Sequence, residues 1–107
     1  MADSRKELAA VVDECRLGLS RWDYAASHFV SSITDSGDAT LFDLATPEIR
    51  KAIFEAIQQL REQGHYRVLV AHGIGEVDHT DKYRRLAKLL EDGGYLKPNE
   101  ADGTHVR

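Results

Sequence analysis

Thr46 to Gly64, TPEIRKAIFEAIQQLREQG, carries the clearest structural instruction in the chain. Threonine caps a helix start, and proline at the first helical position gives up an amide that would have no partner there. Ile49, Ile53, Ile57 and Leu60 then recur at spacings of three and four and make one apolar stripe, which Phe54 widens. Gly64 suits the left-handed position just past a helix end. The stretch predicts a helix from Pro47 to Gln63 with one face against a core.

Upstream, Asp38 to Ala45 is a connector whose Leu41, Phe42 and Leu44 are too apolar for solvent. One helical turn docked across the bundle, acting as a core plug, is expected there. Ser4-Arg5-Lys6-Glu7 is a capping-box pattern. It opens a first helix with Leu8, Val11, Val12, Cys15 and Leu19 inward, ending near Leu19 because Gly18 weakens its last turn. Ser20 to Asp23 repeats the start signal for a second helix. Trp22, Ala25, Ala26, Phe29, Val30 and Ile33 form its apolar face, and Ser36-Gly37 its stop. The short link makes the first two helices antiparallel neighbours or sets them at a sharp corner.

Downstream, His65 to His72 fits both period two and period 3.6, and Val68 and Val70 tip it toward strand. A strand needs a partner: Ile74 to Val77 in a hairpin, Tyr95 to Lys97 in parallel, or another chain's edge. Thr80 or Asp78 caps a last helix reaching Asp92, with Tyr83, Leu86, Ala87, Leu89 and Leu90 inward and Gly93-Gly94 as its stop. Tyr95 and Leu96 should fold back on the preceding turn. The expected fold is mainly α: a small single-domain bundle of four principal helices over residues 1–96, with a short strand or hairpin near 66–78 and a flexible tail over 97–107.

Composition narrows the classes. The chain has 107 residues, 42% hydrophobic and 30% charged, with eight Gly and two Pro, which excludes collagen-like, low-complexity and wholly disordered chains. No apolar run approaches the roughly 20 residues of a membrane span, and the start lacks a signal-peptide stretch, so a cytoplasmic setting without membrane contact is expected. One cysteine, Cys15, forms no intramolecular disulfide and reads as a small core residue. The formal charge is −4, and the first 40 residues carry four cations against seven anions. That balance disfavours polyphosphate, and steers a basic target toward the acidic first third.

Three constellations invite a functional reading. Asp13, Glu14, Asp23, Tyr24 and Asp35 lie on the acidic first two helices; Tyr24 falls off the inner stripe, as an exposed aromatic of the kind that anchors interfaces. Lys82, Arg84, Arg85 and Lys88 give the last helix a basic side that a nucleic-acid-binding regulator could use, although a recognition helix also presents Asn, Gln, Ser or Thr to base edges. His72, Asp78 and His79 offer two imidazoles and a carboxylate, the donors of a metal-dependent hydrolase, but the histidines are seven apart across a glycine loop and match no zinc motif. His72-Gly73-Ile74-Gly75 lacks the lysine and Ser/Thr of a phosphate loop. His28 reads as a hydrogen-bonded boundary residue.

With no acid/base pair or cofactor loop, the expectation is a non-enzymatic module that binds another protein, a basic one, without a cofactor. Over residues 4 to 96, in size, acidity and helix pattern, the chain resembles small helical bacterial immunity proteins, inhibitors that neutralise a toxin by covering its active site. The resemblance implies occlusion of a partner and designates no residue.

Overall fold

The computed structural model describes residues 4–18, 22–69 and 75–97. Four helices carry the fold: α1 (Ser4–Arg16), α2 (Trp22–Ser36), α3 (Pro47–Gln63) and α4 (Thr80–Asp92). A 3₁₀ segment, Ala39–Leu44, links α2 to α3, and a two-stranded antiparallel hairpin of β1 (Arg67–Leu69) and β2 (Glu76–Asp78) links α3 to α4. Helix α2 is the hub and packs on α1, α3, α4 and the 3₁₀ segment.

The α3 boundaries are those expected. Thr46 Oγ1 accepts the Ile49 amide at 3.3 Å, and Gly64, at φ 82°, donates its amide to the Leu60 carbonyl. Helix α1 stops at Arg16, short of the expected end near Leu19, because Gly18 takes φ 78° and its amide turns back to the Cys15 carbonyl. Leu19 itself lies outside the described residues, as do Val70, His72 and residues 98–107, on which the expected tail falls.

The inward stripes meet in one core. Phe29, Ile33, Phe42, Ile49, Ile53, Leu86 and Leu90 are fully buried, each contributing roughly 1.5–3 kcal/mol of apolar transfer. Trp22 and Leu89 are only partly buried, at the edge of that cluster. Among the described residues Thr34 is the buried polar exception, and its hydroxyl donates to the Val30 carbonyl at 2.8 Å. The antiparallel run of α1 against α2 shows in the Arg5 guanidinium, which reaches from the start of α1 to Thr40 Oγ1, just past the end of α2, at 2.9 Å.

The 3₁₀ segment docks as the expected plug, with Leu44 only partly buried, Leu41 buried and, most fully, Phe42. Tyr95 meets its ring edge-on at 5.3 Å between centroids, Phe54 lies at 5.5 Å, and the Arg50 guanidinium covers it at 4.9 Å while donating to the Phe42 carbonyl at 3.1 Å. Tyr95 and Leu96 fold back as expected: both amides donate to the Leu90 carbonyl, and the Tyr95 hydroxyl donates to Asp43 at 2.7 Å. Arg61 ties α3 to α4 through Glu91 at 2.5 Å.

Of the partners open to the 65–72 stretch, its described part takes the hairpin, pairing Arg67–Leu69 with Glu76–Asp78 where Ile74 to Val77 was expected; Ile74 lies outside the described residues. Val68 faces Val77, with Arg67 opposite Asp78 and Leu69 opposite Glu76. Thr80 locks it to α4: its hydroxyl accepts the Tyr66 amide at 3.1 Å and donates to Asp78, whose carboxylate also takes the Thr80 amide at 2.9 Å.

Candidate functional site

Helix α1 ends where α2 begins, which brings Asp13 and Glu14 to the same end of the bundle as Asp23 and Tyr24. All four are exposed. Asp13 lies 3.7 Å from Arg16, a solvated pair with little holding power. Asp23 accepts the Tyr24 amide at 2.8 Å. Tyr24 is 53% exposed, and His28, also exposed, packs edge-on against its ring at 4.7 Å. His28 therefore stands on an outer ridge with Tyr24, where the sequence pointed to a boundary position. Asp35 is not part of this cluster. It sits twelve residues further along α2 than Asp23, about 18 Å at the helical rise.

Beside the Tyr24 ridge runs a groove of about 530 Å³ between α2, β1 and α4, lined among others by Asp23, Tyr24, Ser27, Tyr66, Val68 and His79. Tyr66 lies over Tyr83 at 4.3 Å between centroids. Burial, with Tyr66 alongside, pushes the Tyr83 hydroxyl well above the ordinary tyrosine range. Lys82 crosses to α2 and donates to Ser31 Oγ at 3.2 Å, closing one side of the groove. No local motif announces this cleft, since one wall comes from α2 and the others from β1 and α4, 35 residues or more further along the chain.

The basic residues of α4 are dispersed. Lys82 is turned to Ser31, the Arg84 guanidinium donates to the Gly64 carbonyl at 3.0 Å, and Lys88 lies 3.9 Å from Asp92. The outward stripe reads Asp81, Arg85, Lys88, Asp92, all exposed, so each cation there has a carboxylate one helical turn away.

Of the metal-donor set, His72 lies outside the described residues. Asp78 is engaged by Thr80, whose hydroxyl and amide hydrogen bonds hold the carboxyl below its ordinary range, and His79 lines the groove. Among the described residues no three His, Cys, Asp or Glu side chains converge as a metal site, and no helix is long and apolar enough to cross a membrane. Cys15 is buried in the core, where burial, then the charge of Glu14, pushes its thiol up. No family model, curated protein or solved structure matches the chain.

Proposed function

We propose that this protein is a small acidic binding module, an inhibitor of the immunity type, that occludes a basic partner with the end of the bundle where α1 meets α2. The observation that carries the reading is that the exposed Asp13, Glu14 and Asp23 share one end of the bundle with an exposed Tyr24 that borders a groove. Carboxylates of that kind steer a basic surface into encounter, and an amphipathic aromatic at low conformational cost anchors it once docked. Asp35 joins only a partner that runs the length of α2. The reading of α4 as a nucleic-acid helix is weaker, because Asp81 and Asp92 share its outward stripe and Lys82 and Arg84 are spent on contacts within the fold. The reading as a metal-dependent hydrolase is weaker because Asp78 is committed to the amide and hydroxyl of Thr80, although the residue that caps α4 is His79, not the expected Thr80 or Asp78.

The test is capture of partners from the native host by the tagged chain, wild type beside Asp13→Lys/Glu14→Lys and Tyr24→Ala. A basic protein held by the wild type, released by salt, and lost or bound at least tenfold more weakly in both variants is the expected outcome. Retention of the same partner with unchanged affinity by the charge-reversed variant would remove this surface.

A further inference from the structure

The hairpin is the least buried element of the fold. All six of its residues are exposed, and Val68 (38%), Val77 (41%) and Leu69 (75%) are three of the five large hydrophobics exposed among the described residues. A two-stranded sheet is marginal by itself, and its open edges are templates for further pairing. Backbone phase shows which groups those edges offer. The His79 amide donates to the Tyr66 carbonyl at 2.8 Å, so Tyr66 and Val68 turn their amides and carbonyls toward β2, while Arg67 and Leu69 turn theirs outward. By the same alternation Val77 points inward on β2, and Glu76 and Asp78 point outward. Among the described residues, the outward groups of Arg67 and Leu69 meet no other backbone group.

Charge separates the two edges. Self-pairing of β2 about Val77 would set Glu76 against the partner's Asp78 twice over, opposing carboxylates directly. Self-pairing of β1 about Val68 sets Arg67 against the partner's Leu69, and no like charges meet. Arg67 and Leu69 carry the outward groups, so this register makes a hydrogen bond from each amide to the carbonyl across the axis. It also lines up Val77, Val68 and their two copies on one face of the sheet, a continuous apolar row.

We propose that the β1 edge pairs with the β1 edge of a second copy, joining the two hairpins into one antiparallel four-stranded sheet about a twofold axis.

Cross-linking tests the register. In this arrangement Val68 faces its own copy as a close, non-hydrogen-bonded pair, whereas the two Leu69 positions stand roughly 8 Å apart, beyond the reach of a disulfide. Under mild oxidation Val68→Cys should form a covalent dimer several-fold faster than Leu69→Cys. Random collision predicts the reverse order, because Leu69 is the more exposed residue. The wild type, with only the buried Cys15, is the blank. Equilibrium sedimentation tests the edge. Leu69→Pro deletes an outward amide on β1 and Glu76→Pro one on β2, each sparing the bonds inside the hairpin. The wild type and Glu76→Pro should shift with concentration from 12.0 kDa toward twice that mass, and Leu69→Pro should dissociate at least tenfold more readily, with helical circular dichroism unchanged in both. A wild type that remains at 12.0 kDa to millimolar concentration, faster cross-linking of Leu69→Cys, or a dimer that survives Leu69→Pro would each overturn the proposal.

Discussion

Thr80 illustrates how much one side chain can join. Its hydroxyl accepts the Tyr66 amide and donates to Asp78, so a single oxygen links the base of the hairpin to the first turn of α4. Valine has nearly the same shape and neither bonding capacity. Thr80→Val leaves the Tyr66 amide without its acceptor while Asp78 keeps the Thr80 amide, and the expected loss is about 1–2 kcal/mol. Urea unfolding measures it, and amide exchange at Tyr66 should accelerate in step. Thr80→Ser should restore most of both. If Thr80→Val unfolds at the wild-type urea concentration, the hydroxyl is a bystander and the hairpin is held by its own ladder.

At the scale of elements, the helices were legible because their signals are local. Thr46-Pro47 and Gly64 bracket α3 within its own sequence, and the inward stripe of α4 needs only its period. The hairpin was ambiguous for the opposite reason: its choice of partner depends on β2, seven residues beyond the end of β1, and on the Thr80 lock. The groove beside Tyr24 was not legible at all, since α2, β1 and α4 meet there only after the core has closed. Gly93 shows the same limit at a helix end. As a stop signal it reads plainly, but a Cβ there would lie 3.1 Å from Ala39 Cβ and 3.2 Å from the Tyr95 ring, a crowding that no local pattern announces. Tyr95 is held by Asp43 and Phe42 and cannot swing away cheaply. Gly93→Ala should therefore cost about 1 kcal/mol or more by overpacking, although alanine is the better helix former. Ala39→Gly in the same chain should recover part of the loss, and a double-mutant cycle by urea unfolding reads the coupling. Simple additivity of the two changes would show that the close approach carries no energy.

For the whole molecule, the acids that the fold displaces set the pH limits of stability. Asp38 and Asp78 are held below their ordinary 3.8 by hydrogen bonds from Thr40 and Thr80. As pH falls through that value the unfolded chain takes up protons that the folded chain does not, so their stabilisation is present above 3.8 and is lost progressively below it. Cys15 and Tyr83 are displaced upward by burial, from 9.0 and 10.0, and Tyr95 is raised by its bond to Asp43. Here the folded chain keeps protons that the unfolded chain has released, so stability is complete below those values and declines as pH rises past them. Urea unfolding across pH should give a plateau between about 4 and 9, with a fall on each side. Tyr83 is the most buried of the tyrosines and packs under Tyr66, so the alkaline fall above 10.0 should belong chiefly to it. Tyr83→Phe keeps the ring and removes the proton, and should flatten the alkaline limb while leaving the acid limb in place. An alkaline limb as steep in Tyr83→Phe as in the wild type would assign that fall to Cys15 and Tyr95, and would mean that the Tyr66–Tyr83 contact holds the groove by ring packing without help from the buried hydroxyl.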